Sequence, residues 1–390
     1  MKPALAAKNP AAAPTRLRIK PLYASGIGAL VALLGLLGPF TVQESAVDTL
    51  GPLGLAIVVT SLLLAVIGRD WAAVALLPLG LLGAFQTVSA LWLLRIPGDW
   101  GYWALLWGFL VASLGGVWRV SLVELPPETG KAERTLRGLL PPAAIPFALL
   151  LTWQGLVSGY TVPKGIFPGV LDVWTQLTVS FRVLLADSYV TFVKEVLFGF
   201  TLGLIGGFTA AIAIAFSPFL QRGFLPLAAA FGAVPIVGLA PVLGRAFGVN
   251  WESKAAVVVI VTFFPVVLNT VQGLVNVDPL KLELLRAYAA KPREVFFKLR
   301  LPNSLPYLFN ALKLAAVISV VSVIVAEFLI PGPPEGLGQR ISLSARRGAF
   351  DVVFAAIAVT SIISFAFYSL LSLVERWLTG WHPSFREEPR

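Results

Sequence analysis

Apolar residues in this chain gather in long unbroken runs, not in the alternation of a half-buried strand or the narrow stripe of a soluble helix. Runs suited to crossing a membrane occur at Ala24–Phe40, Leu50–Ile67, Trp71–Leu94, Gly101–Trp118 and Ala143–Gly159. Others follow at Tyr189–Phe216, Phe219–Phe247, Ala255–Val275, Leu305–Ile330 and Val352–Trp377. A hydrocarbon core of about 30 Å needs about 20 apolar residues per helix, and its lack of water leaves only helices or closed barrels as spanning structures. Ten-residue alternating strand patterns are missing from the sequence, so the fold class expected is all-α: a polytopic helical membrane protein with about ten transmembrane helices.

Composition agrees with this pattern. Of the 390 residues, 57% are hydrophobic and 13% charged, whereas soluble domains carry about 25% charged residues. The 35 glycines, 11 tryptophans and 26 phenylalanines suit close helix packing and interfacial anchoring. With no cysteine and a single histidine, His382, a disulfide framework, thiol catalysis and any multi-histidine metal site are excluded.

The net charge of +10 becomes a topology signal once each basic residue is placed. With the N-terminus on the cytoplasmic side, twenty of the 30 Lys and Arg fall on that side and eight on the other, with Lys194 and Lys313 inside spans. That bias predicts both termini inside and an even number of spans. The first run follows a basic tail of about 20 residues and lacks an A-x-A-like cleavage site, so it reads as a retained span and not a signal peptide. The expected organisation is a cytoplasmic basic tail (1–22), a transmembrane extension of about four helices (23–121) and a polar linker (122–142). A membrane core (143–381) and a short tail (382–390) complete it.

One segment breaks the apolar pattern. Asp278–Asn303, DPLKLELLRAYAAKPREVFFKLRLPN, holds nine charges and lies on the inner side by the charge count. At helical spacing Leu282, Leu285 and Tyr288 or Ala289 share a face, with Lys281, Glu283 and Arg286 elsewhere. The pattern predicts a short amphipathic helix, a kink at Lys291–Pro292, a second short helix over 293–300, and Leu301–Pro302 leading into the next span. Such a helix could lie on anionic lipid or dock a soluble partner.

The segment resembles the EAA signature of permease subunits of ATP-binding-cassette importers. Glu283 takes the acidic position, Ala289 the place usually held by glycine, and Leu301–Pro302 closes the motif. Alanine gives up the left-handed backbone option that glycine offers, which implies a helical turn there. The similarity extends over about Pro142–Trp381, through FLPLAAAFGAVPIVGLAP, FFPVVLNTVQGLVNVDP, LPYLFNALKLA, VIVAEF and the GLG at Gly336–Gly338. It is greatest toward permeases for thiamine-pyrimidine precursors or riboflavin, then those for sulfonate, taurine or nitrate. The first 120 or so residues have no counterpart in the six-helix core of that family. The resemblance implies a permease homodimer or pseudo-dimer fed by an extracytoplasmic solute-binding protein and seated on two cytoplasmic ATPase subunits, in the bacterial inner membrane. It also implies ATPase-coupling roles. Glu283 and Arg286 would make charged contacts, Leu285 and Tyr288 would serve as anchors, and Pro302 would set the entry angle of the helix.

No phosphate-binding G-x-x-x-x-G-K-[ST] loop, G-x-S-x-G or H-E-x-x-H occurs, so the chain reads as a transport subunit and not an enzyme. No cofactor is expected on this chain; ATP and Mg²⁺ belong to the partner ATPase. Lipid is an expected partner and nucleic acid is not. Ionisable residues within spans are the remaining candidates. Lys313 reads as snorkelling toward the cytoplasmic end, and Lys194 and Glu195 as pairing with other charges or meeting water. Glu327, in VIVAEF, reads as gating or structural pairing before substrate contact, and Asn269 and Gln272 in NTVQG as bridging helices or hydrogen-bonding a polar solute; these three make up the candidate substrate pathway. Glycines 199, 203, 206 and 207 read as a packing surface, and Trp92, Trp100, Trp103 and Trp107 as an interface belt. An ion-coupled secondary carrier is the rival reading, with Glu195, Glu327 and Lys313 as its coupling residues.

Overall fold

The computed structural model describes residues 15–42, 44–67, 70–122, 130–232 and 234–380. Of the expected tail 1–22, residues 1–14 lie outside the described residues, while 15–22 are not a separate tail but the first turns of a helix, Thr15–Leu36; the expected tail 382–390 and the middle of the linker, 123–129, also lie outside the described residues. Those described are helical throughout, apart from loops and two isolated β-bridges.

The helices in chain order are α1 (Thr15–Leu36), α2 (Ala46–Ile67), α3 (Asp70–Leu94), α4 (Trp100–Ser121), α5 (Lys131–Gly159) and α6 (Val170–Val179). They continue with α7 (Phe181–Ala215), α8 (Pro218–Gly232), α9 (Ile236–Phe247) and α10 (Trp251–Val275). The last are α11 (Pro279–Ala287), α12 (Pro292–Leu329), α13 (Leu337–Arg346) and α14 (Phe350–Thr379). Among the described residues, 8 are long and apolar enough to cross a membrane, and the bent pair α8–α9 makes a ninth if it counts as one span. The chain is a multi-pass helical membrane protein.

Three spans differ from the hydropathy reading. The run at Phe219–Phe247 is two helices meeting at 97°, because Pro235 caps α9 in an extended conformation and stops a through-going helix. α7 begins at Phe181 and runs for 35 residues, and α12 begins at Pro292 and runs for 38. Each absorbs polar residues into a helix that extends past its apolar stretch.

The chain divides into two compact units at Asp172/Val173. In the first, α1 and α4 pack at backbone contact. A Cβ on Gly28 would collide with the amide of Ala112, and one on Gly108 with that of Ala32. Without water to drive association, such close approach is what holds membrane helices together. Buried Tyr102 ties α4 to α5 by donating to the Gly155 carbonyl at 2.8 Å. α5 takes in residues 131–142 of the expected linker. Trp100 and Trp107 are exposed, whereas Trp103 packs on Tyr102 and Tyr160.

The second unit packs α7, α10, α12 and α14 around Val196, Phe200, Val258, Phe309, Val320 and Phe367. Gly199, Gly203 and Gly207 form the stripe on which α10 lies, since a Cβ at each would strike the carbonyls of Ala255, Val259 and Phe263. Thr262 and Ser319 join α10 to α12 at 3.3 Å. The ammonium of Lys313 pairs with Glu375 of α14 at 2.7 Å.

Candidate functional site

The EAA-like segment is a helix, a sharp stop and a restart. Asp278 caps α11 by accepting from the Leu280 amide at 3.0 Å, and Pro279 occupies the first turn, where its missing N–H costs nothing. None of the residues of α11 is buried. Leu280, Leu284 and Tyr288, four residues apart, form an apolar stripe that is 74%, 56% and 78% exposed. Glu283 and Arg286 are exposed beside it, while Leu282 and Leu285 turn half inward. The outward apolar face therefore runs through Leu284, not through Leu285.

Ala289 corrects the expectation of a helical turn: its φ is +52°. The Ala290 amide bonds the Leu285 carbonyl at 3.0 Å and the Ala289 amide bonds that of Arg286 at 2.9 Å. These are the two bonds of a Schellman stop, with alanine in the left-handed position where glycine is preferred. The cause lies downstream. Pro292 holds Lys291 extended, at ψ 153°, so the helix must end before it. Glu294 then accepts from the Lys291 amide at 2.8 Å and opens α12.

The expected second helix over 293–300 is present, and Leu301–Pro302 leads from it into the span without interruption. α12 runs through both, with a wide π turn over Phe296–Arg300. Pro302 follows it directly, and the wider turn accommodates a proline that offers no N–H and needs room for its ring. Leu301 and Pro302 are half-buried in the first turn of the span that follows the π turn.

Far along α12 from this segment, Glu327 is 1% exposed. Its Oε1 accepts from Thr191 Oγ1 at 2.7 Å and its Oε2 from the Gln339 amide at 3.0 Å. Thr191 in turn accepts from the Leu337 amide at 2.8 Å. The GLG loop closes tightly on this carboxylate. Gly336 has φ +101°, and a Cβ on Gly336 or Gly338 would intrude on the Glu327 carboxylate. Asp187 receives the Arg340 guanidinium at 2.8 Å and the Gly336 amide at 3.2 Å. Thr191 and buried Glu195 sit on a nine-residue π turn of α7, Tyr189–Leu197. Glu195 faces Glu327, Lys254 and Lys194. Asp187, Thr191, Lys254, Gln339 and Arg340 were not read as site residues from sequence. The signal available was the Lys194–Glu195 pair inside an apolar run.

Of the pathway candidates, Glu327 is thus locked in the protein. Asn269 donates to the Pro265 carbonyl of its own helix at 2.9 Å, and Gln272 is exposed one turn further on. The structure does not bring the three together. In the elbow between α8 and α9, Phe231 and Phe264 stack at 5.2 Å beside a small apolar pocket that also includes Pro265.

In the first unit, Asp172 gathers Trp92 at 3.3 Å, Arg95 at 3.4 Å and Lys164 at 2.8 Å on one oxygen, and the Gly169 amide at 3.2 Å on the other. Burial pushes the Asp172 carboxyl up, but the hydrogen bonds from Lys164, Gly169 and Trp92 outweigh it, and the group lies below its ordinary value.

Residues 199–380 match the family described as binding-protein-dependent transport system inner membrane component. A probable ABC transporter permease protein of Haemophilus influenzae is 30% identical over 230 residues, which is 59% of this chain and 93% of that protein. The formylaminopyrimidine transport permease protein of Halalkalibacterium halodurans is 30% identical over 47% of this chain and 72% of its own length. The riboflavin transport system permease protein of Chloroflexus aurantiacus is 29% identical over 60% and 88%.

Proposed function

The chain belongs to the binding-protein-dependent transport inner membrane component family, the permease component of ATP-binding-cassette importers for small solutes, and from that premise we propose that α11 is where it takes up the work of an ATPase. The observation that carries the reading is the Leu280–Leu284–Tyr288 stripe, apolar and exposed on a helix none of whose residues is buried. An apolar stripe flanked by Glu283 and Arg286 suits a groove in a soluble partner. The Schellman stop at Ala289 and the capped restart at Lys291 join α11 to α12 by a short rigid corner. Displacement of α11 is thereby passed to a 38-residue helix, and rigid-body motion of packed helices is a common way to switch access.

In this reading both termini and α11 face the cytoplasm, ATP and Mg²⁺ are bound by the ATPase, and the permease works as a homodimer supplied by an extracytoplasmic binding protein. The solute is a small heteroaromatic molecule of the kind for which the formylaminopyrimidine and riboflavin relatives are named. Replacing Leu284 and Tyr288 together by serine should abolish co-purification of the ATPase and ATP-dependent uptake while leaving membrane insertion intact. Wild-type recovery of the ATPase with that variant would refute the assignment.

A further inference from the structure

In the first unit, where the spans α3 and α5 end, a pocket of about 220 Å³ is lined by Trp92, Arg95, Ser158, Thr161 and Lys164, among others. Arg95 and Thr161 stand just past the two helix ends with φ of +58° and +47°, the left-handed position of a helix stop. The last carbonyls are engaged there: Leu91 accepts from the Arg95 amide at 3.1 Å, and Ser158 and Val157 from the amides of Thr161 and Val162 at 3.1 and 3.0 Å. Arg95 and Lys164 supply the charge of the lining, and their side chains are 52% and 48% exposed, so both are open to a ligand. The carboxylate they reach is Asp172, which takes Lys164 at 2.8 Å and Arg95 at 3.4 Å on one oxygen. Two cations against one carboxylate leave a net charge of +1. Asp99, on the same loop as Arg95, caps the Trp100 amide at 2.7 Å instead. A guanidinium has five N–H groups and an ammonium three. Beyond the bonds to Asp172, the rest have no acceptor among the described residues.

We propose that this pocket binds the headgroup phosphate of an anionic phospholipid, with Arg95 and Lys164 donating to its oxygens. Three observations select a lipid. The pocket lies at the ends of two apolar spans, the depth at which headgroups sit. Leu93, Tyr160 and Ile166, close in the chain to Trp92, Arg95, Thr161 and Lys164, are large, apolar and exposed, which suits acyl chains beside the cations and not a soluble anion in water. The surplus of one positive charge matches the single negative charge of a phosphodiester, and charge-assisted bonds to phosphate are the strong kind. The space exceeds several times over the share of about 30 Å³ that one water takes, so a phosphate group fits. The pocket lies outside residues 199–380, the part that matches the permease family, and does not depend on the coupling reading of α11.

The test uses the full chain in a neutral detergent and native mass spectrometry. It is titrated with dimyristoyl-phosphatidylglycerol, dimyristoyl-phosphatidylcholine and dimyristoylglycerol, with inorganic phosphate as competitor. The first phosphatidylglycerol should bind more tightly than the zwitterionic or the phosphate-free lipid, and inorganic phosphate should displace it only at far higher concentration. Arg95→Gln and Lys164→Gln should each weaken that first binding about threefold, as half-exposed charges do, and together about tenfold. Arg95→Gln leaves Lys164 on Asp172, so it decides the matter if Lys164→Gln fails to fold. Asp172→Asn removes the pairing and keeps both cations, and should bind phosphatidylglycerol at least as tightly as the wild type. Weakening by Asp172→Asn equal to that of the cation variants would mean that Arg95 and Lys164 serve only Asp172, and would overturn the proposal. Equal binding of dimyristoylglycerol, displacement by phosphate at lipid-like concentration, which marks a site for a free anion, or unchanged affinity in Arg95→Gln would overturn it as well.

Discussion

Thr191 Oγ1 donates a hydrogen bond of 2.7 Å to Glu327 Oε1, joining the π turn of α7 to the far end of α12 across 136 residues of sequence. The same hydroxyl accepts from the amide of Leu337, so a single side chain ties two helices and the GLG loop together. Thr191→Val keeps the shape and removes both bonds. It should lower stability by about 2 kcal/mol, because a buried carboxylate and an amide lose their partner. Thr191→Ser should restore most of that, as read from thermal unfolding in detergent.

The pairing of Lys313 with Glu375, whose side chain is 8% exposed, makes a second prediction. Lys313→Met strands a buried carboxylate and should cost about 3 kcal/mol, whereas adding Glu375→Leu should recover much of it, since an apolar pair replaces a buried ion pair at little cost. The double-variant cycle on unfolding midpoints measures the coupling.

Ala289 adopts the left-handed conformation without being glycine. Ala289→Gly should stabilise the α11–α12 corner by about 1 kcal/mol and Ala289→Val should destabilise it further. Hydrogen exchange at the amides of Ala289 and Ala290 reports the change directly.

Much of the architecture was legible in hydrophobic run lengths, and the EAA-like segment stood out by its charge alone. What sequence could not give was phase and partnership. In LKLELLRAY both Leu284 and Leu285 fit an apolar face, and only the structure shows Leu284 exposed and Leu285 half-buried. Local preference at Ala289 favoured helix, but the proline three residues on required a stop. The π turn at Tyr189–Leu197 shifts the facing of every residue after it, so a 3.6-residue period cannot place Glu195 in the interior. Its neighbours Glu327 and Lys254 come from other helices far along the chain.

Asp172 lies below its ordinary value in the folded protein. Its ionised form is therefore favoured by folding, and the stability it adds is present above the unfolded carboxylate value near about 4 and lost as pH falls through the lower folded value. Asp172→Asn should flatten the acid limb of the stability profile between those two values, with little change in its slope near neutrality. An unaltered acid limb would mean that Lys164 and Arg95 do not hold this carboxylate in solution.

The central claim is that the Leu280–Leu284–Tyr288 face of α11 touches an ATPase. The natural sequence has no cysteine, so Leu284→Cys, Tyr288→Cys and, on the half-buried side, Leu285→Cys can each be introduced as the sole thiol. Cross-linking in membranes that contain the co-expressed ATPase should yield a permease–ATPase product from positions 284 and 288 and little from 285. A product from 285 but not from 284 or 288, or from none of the three, would contradict the account.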